Sequence, residues 1–168
     1  KPEHTIRQAD GVGLQALVSR ARTLSPSFDA RVLQVLVTAG AVTPRKFLGP
    51  GVKGLARAHE KIAMEYKGNA SLLKDVLRCS VVCDTMADLN IVWGELESLC
   101  ERGVILILQV KNRFRDGAVG GGYRDLNINV EFEGLVCECQ IHIRPFYELK
   151  AGAHPCYVLC RSLGLVGD

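Results

Sequence analysis

No apolar run in this 168-residue chain approaches the roughly 18 residues that a membrane-spanning helix needs; Val104–Leu108, among the longest, has the length of a buried strand. The start lacks a signal-peptide core and an Arg-rich transit helix. It reads Lys1-Pro2 without a Met, so the sequence is taken as one module of a longer protein. Internal repeats and low-complexity tracts are missing too. Charge of one sign is scarce. The 21 Lys and Arg against 18 Asp and Glu leave a formal +3, which excludes a dedicated nucleic-acid-coating protein but permits a local basic stripe. Among seven cysteines no CxxC pair occurs, and the spacings Cys79-x3-Cys83, Cys137-x-Cys139 and Cys156-x3-Cys160 fit no zinc module. Their odd number and apolar neighbours point to reduced, buried thiols, hence to a reducing intracellular setting, the cytoplasm.

What is present suffices for a core: 48% hydrophobic and 23% charged residues fit one globular domain of ordinary size. Apolar spacing predicts two helices, Thr5–Leu24 and Phe28–Ala39, with Ser27 capping the second and Gly40 stopping it. Gly49-Pro50-Gly51 reads as a breaker and Lys53–Tyr66 as a third helix. Val76–Cys83 alternates as a strand, with Leu77, Cys79, Val81 and Cys83 on one face and Arg78, Ser80 and Val82 on the other. Thr85 to Asp88 has the form of a capping box before a helix that Gly103 ends. Val104–Val110, apolar but for Gln109, reads as a central strand. A loop with four glycines, Asn112–Gly122, precedes two alternating strands joined by a turn at Gly134. The tail reads as two short helices opened by Pro145 and Pro155. This order is an α+β fold with a sheet that is polar on one face.

That polar face carries Asn127, Asn129, Glu131, Glu138 and Gln140, and buried carboxylates need partners, so water or a ligand must meet it. Three clusters could hold the ligand. Lys53, Arg57 and Lys61 are spaced i, i+4, i+8 as a cationic stripe suited to polyphosphate, or as a solvated face balanced by Glu60 and Glu65. Asp75 enters one strand while Glu138 lies within another; two carboxylates meeting this way make a hard-oxygen site for Mg²⁺. Lys111, Arg113 and Arg115 lead through the glycine loop to Tyr123, a combination able to hold phosphate and stack a base. Cys/His nucleophilic catalysis is disfavoured, because the strand cysteines alternate onto the apolar face and His142 onto the other.

Taken in order, Lys53 and Lys61, Asp75, Val81–Asp88, Lys111, Gly122-Tyr123 and Glu138-Cys139-Gln140 resemble the synthetase domain of the RelA/SpoT family, nucleotidyltransferase-fold enzymes of (p)ppGpp metabolism. The resemblance covers about residues 46–157. It implies a nucleotidyltransferase-like mixed sheet flanked by helices, formed by residues 46–168 after a helical N-terminal segment, 1–45. It implies Asp75 and Glu138 as the catalytic pair and the ligands of Mg²⁺. Lys53 and Lys61, joined by Arg57 and Arg78, would take the ATP phosphates. Tyr123 would stack on the acceptor base from a partly exposed position, and Gln140, Asn127, Lys111 and Arg115 would complete the acceptor site. The activity implied is Mg²⁺-dependent pyrophosphoryl transfer from ATP to a guanine nucleotide.

The sequence departs from the family at the cations. Gly51 and Ser80 stand where the family has Arg, although Arg78 lies on the same strand face as Ser80 and is able to substitute. The Lys shortly before Gly-Tyr is missing near Val119, and Asn127 replaces a His; the wording is closer to divergent eukaryotic relatives than to bacterial enzymes. Two alternatives therefore stand beside the enzyme: a catalytically silent nucleotide- or protein-binding module, and a pyrophosphotransferase with another acceptor such as RNA, the less favoured of the two.

Overall fold

The computed structural model describes residues 6–39, 48–117 and 122–149, with 48–50 by backbone only. The N-terminal apolar spacing forms one helical run rather than two helices. Helix α1, Leu14–Phe28, continues through a π-helical turn, Asp29–Leu33, into α2, Gln34–Ala39. The wide turn re-phases the apolar stripe, so that Leu17, Phe28, Val32, Leu33 and Leu36 all reach the core and no break at Ser27 is needed. Residues 6–13 precede the helix, with Gly11 at φ 70.

The expected breaker is a strand. β1, Leu48–Val52, pairs antiparallel with β2, Leu77–Cys83, and its register slips between Leu48 and Gly51, the stretch that holds Pro50. Proline lacks the ladder donor and is tolerated on edge strands and at irregularities; here it has both. Helix α3, Leu55–Glu65, starts after Gly54, so Lys53 lies ahead of the helix rather than in it. Helix α4, Met86–Glu101, opens on the expected capping box: Thr85 accepts from the Asp88 amide, and Asp88 accepts from the Thr85 amide.

β3, Leu106–Asn112, β4, Leu126–Phe132, and β5, Leu135–Ile143, complete a five-stranded mixed sheet in the order β1-β2-β5-β4-β3. Only β2 and β5 run parallel. The apolar run expected at the centre thus forms an edge, where Leu106 and Val110 are exposed while Ile105 and Ile107 face the core. The β4–β5 hairpin turns on Glu133 (φ 49) and Gly134 (φ 72), two successive left-handed residues of the type that matches strand twist. α1 and the π-helical turn clamp this hairpin: Arg20 donates to the Glu133 carbonyl, Arg31 pairs with its carboxylate at 2.8 Å, and Phe28 packs edge-on against Phe132 at 5.3 Å.

One apolar core joins α1, α2 and α4 to the inner sheet face of Leu77, Cys79, Val81, Ile128, Val130, Cys139 and Ile141. Cys79, Cys83, Cys137 and Cys139 are buried and Cys100 half-buried; all five are free thiols. Residues 144–149 are helical. The second tail helix, Cys156 and Cys160 lie outside the described residues.

Candidate active site

Asp75 sits just ahead of β2 and is buried, with 7% of its surface exposed. Its Oδ2 accepts from Lys53 Nζ at 2.8 Å and from Lys61 Nζ at 3.1 Å, one ammonium arriving from the end of β1 and the other from α3. Burial pushes the Asp75 carboxyl up, but the charges of Lys61 and Lys53 outweigh that and hold it below the ordinary carboxylate value. Burial works to lower Lys61, and the Asp75 charge, together with Tyr66, the Asp75 hydrogen bond and Glu65, more than reverses it, so its ammonium is held more firmly than usual. Oδ1 is buried and has no hydrogen-bond partner among the described residues. The cationic stripe is therefore split: Lys53 and Lys61 converge on Asp75, whereas Arg57 turns outward to Glu60 at 3.0 Å.

The segment carrying Asp75 is fixed by a residue that the sequence reading passed over. Gln8, 3% exposed, donates from Nε2 to the carbonyls of Leu73 and Val136 (2.8 Å each) and accepts from the Val136 amide at 2.9 Å. Its own backbone amide donates to the Ser71 carbonyl at 2.7 Å. A lone glutamine before a helix carries no sequence signal; only the fold shows that it ties β5 to the approach to β2.

The polar sheet face is two cross-strand rows. In one, Gly51, Arg78, Glu138 and Asn129 are successive register partners across β1, β2, β5 and β4, and Gln109 of β3 completes it. In the next, Ser80, Gln140, Asn127 and Lys111 follow in the same way. Paired residues project to the same side of a sheet, so Glu138 stands among amides. Asn127 donates to its Oε2 and Gln140 to its Oε1, each at 2.9 Å. Asn127 and Asn129 are buried, Arg78 and Lys111 exposed. Asp75 stands three residues ahead of Arg78, the residue opposite Glu138, which is at most about 10 Å of backbone. Among the described residues no group of three His, Cys, Asp or Glu side chains gathers to hold a metal. Asp75 Oδ1 and the Glu138 carboxylate are nevertheless hard oxygen donors of the kind Mg²⁺ takes.

The glycine loop is closed by a buried network rather than by an open aromatic. Tyr123, 8% exposed, donates from its hydroxyl to Asp125 Oδ2 at 2.8 Å and lies 3.0 Å from His142 Nδ1. Asp125, fully buried, also accepts from Arg113 Nη1 at 2.6 Å. The partly exposed ring expected for Tyr123 is corrected here: a second carboxylate two residues on, with Arg113 behind it, draws the phenol inward. Burial and the Asp125 charge raise the phenol well above its ordinary value. Arg115 lies away from this network, exposed and paired with Asp116 at 2.7 Å. Asp125 and His142 were legible as polar residues on alternating strands, but only the sheet places both against Tyr123.

Comparison with solved structures turns on this arrangement of sheet and helices. The chain matches small alarmone synthetase 1 from Bacillus subtilis bound to its product pppGpp with a TM-score of 0.65 at 16% identity, over 89% of this chain and 80% of that one. The same enzyme bound to AMPCPP matches with a TM-score of 0.59 at 14% identity, over 88% and 79%. A GTP pyrophosphokinase family protein from Streptococcus pneumoniae matches with 0.59 at 20%, over 92% and 78%. The chain has the alarmone-synthetase fold. No protein-family model and no curated protein sequence matches it, so the likeness lies in the fold and not in overall sequence. Within the alarmone-synthetase fold, the residues brought together are Lys53, Lys61 and Asp75 in one cluster and Arg78, Glu138, Gln140, Asn127 and Lys111 along one sheet face. Arg57 and Arg115 stand apart from both.

Proposed function

We propose that this chain binds ATP at the Lys53–Asp75–Lys61 cluster and passes its pyrophosphoryl group to a guanine nucleotide held along the polar sheet face. The observation that carries the reading is the convergence of two lysines on one buried carboxylate, next to the row containing Glu138, in a fold shared with proteins bound to pppGpp and AMPCPP. In that transfer an acceptor hydroxyl attacks the β-phosphorus, the bond from that phosphorus to the oxygen bridging to the α-phosphorus breaks, and AMP leaves. Lys53, Lys61 and Arg78 would neutralise the charge that shifts between phosphates, the dominant form of help available to phosphoryl chemistry. Glu138, oriented by Asn127 and Gln140, and Asp75 would hold Mg²⁺, which supplies charge neutralisation on the polyphosphate when bound. Lys111, Asn127 and Gln140 would contact the acceptor. Incubation with γ-labelled ATP, Mg²⁺ and GDP or GTP tests the reading directly: label in the guanine nucleotide supports it.

A second reading, a nucleotide-binding module without transferase activity, is favoured by Tyr123. Its ring is turned in toward Asp125 and His142 rather than offered to a base. Nucleotide binding without label transfer would select this reading.

A further inference from the structure

The Asp75 carboxylate is occupied before any ligand arrives. Both ammonium groups bond the same oxygen, and all three side chains are largely buried: those of Lys53 and Asp75 are 12% and 10% exposed, and that of Lys61 23%. Two ammonium groups thus face the single charge of Asp75, and both Glu138 oxygens already accept amide hydrogens. A dication approaching this cluster meets two ammonium groups at the carboxylate it would need. A polyphosphate meets the same two ammonium groups as ligands. As they turn to the phosphate they leave Asp75 as an unpaired buried carboxylate with one oxygen, Oδ1, already free of hydrogen bonds among the described residues. Such a group is costly to leave unpaired and is best answered by a cation.

We propose that Lys53 and Lys61 form a clasp on Asp75 that makes nucleotide binding a precondition of metal binding: the site takes the nucleoside triphosphate as a metal-free anion, and the divalent ion enters only after the phosphate has drawn the lysines away. This rests on the nucleotide-binding reading above and adds an order to it. Asp75 then has two successive partners, the lysines in the bare chain and the metal in the complex.

The experiment uses calorimetric titration with AMPCPP in EDTA and in Mg²⁺, together with electron paramagnetic resonance of Mn²⁺ added to the bare chain. AMPCPP is expected to bind in EDTA within about tenfold of its affinity in Mg²⁺. The bare chain is expected to leave the free Mn²⁺ signal unchanged. In Asp75→Asn the lysines are released from the start, so metal-free AMPCPP affinity should rise several-fold, while the chain-bound Mn²⁺ spectrum seen with AMPCPP in the parent is lost. Lys53→Met, with one arm of the clasp removed, should bind Mn²⁺ more readily than the parent without nucleotide. Mn²⁺ bound by the bare parent chain, AMPCPP binding only with metal, or weakened metal-free binding in Asp75→Asn would each overturn the clasp and leave the nucleotide reading standing. No AMPCPP binding in either buffer would overturn both.

Discussion

Arg78 lies across Gly51: its Cγ and Nε are 3.8 Å from the point where a Cβ on Gly51 would stand, and the two residues are direct register partners on β1 and β2. The guanidinium stem thus passes over a position where the sequence shows no side chain. Removing it should cost charge-assisted contacts with phosphate, about 1.5–3 kcal/mol of ATP affinity in Arg78→Ala, measured by titration at fixed ionic strength. Placing the cation on the neighbouring strand, in the double variant Gly51→Arg with Arg78→Ala, should return most of that affinity. Failure of the double variant to recover, with folding intact, would mean that Arg78 acts through its own strand position.

Tyr123 is expected to act on stability first. Tyr123→Phe removes the hydroxyl that Asp125 accepts, leaving a buried carboxylate oxygen short of a donor, at a cost of about 1–3 kcal/mol. Melting should fall by roughly 3–8 °C, while affinity for GDP stays within about twofold. Unchanged melting with lost GDP binding would show instead that the ring carries the acceptor.

Two pH limits follow from the site. Asp75 titrates below its ordinary value of 3.8 in the folded chain, so its contribution is complete above that value and is lost as pH falls through the lower folded one. Lys61 and Tyr123 titrate above their ordinary values of 10.5 and 10.0; their contributions are complete below those values and are lost as pH rises past them. Chemical denaturation at a series of pH values should show a plateau between these limits. Asp75→Asn should flatten the acid slope, and Tyr123→Phe should flatten part of the alkaline one.

Thiol chemistry should be slow at the sheet. Burial, followed by the charges of Asp88 and Asp84, pushes the Cys83 thiol up to about 12, and Cys79 and Cys137 are raised as well. Among the described cysteines Cys100 should therefore label first with a disulfide reagent under native conditions, read by peptide mass mapping. The other four should label only as the chain unfolds. Rapid native labelling of Cys79 would contradict the packing of the inner sheet face.

Patterns of period two and the Thr85 cap were readable in the sequence because neighbouring residues alone determine them. The hairpin at Gly134, the polar face and four buried cysteines all follow from alternation. Other features depended on partners that only the fold supplies. Gly49-Pro50-Gly51 becomes a strand because β2 offers it an edge, and Val104–Val110 loses the centre because β5 lies between β2 and β4 and occupies it. Arg57, indistinguishable from its neighbours by spacing, turns out to Glu60, while Lys53 reaches Asp75 from ahead of the helix. Tyr123 was legible as a site aromatic, but Asp125, Arg113 and His142, which bury it, meet only in the folded sheet.

The parallel pairing of β2 with β5 also has a consequence for how the molecule is made. Strands β4 and β5 can zip as soon as their hairpin emerges, but Arg78 waits for Glu138, sixty residues later, and Asp75 waits for Val136 through Gln8. Contacts of such sequence separation form late and slowly. During synthesis the segment carrying Asp75 and the row facing Glu138 therefore gain their last ties together, when β5 arrives. A nascent chain halted before β5 would lack both Glu138 and the Val136 anchor of Gln8, so the two walls of the site become available at one and the same stage of the chain's own birth.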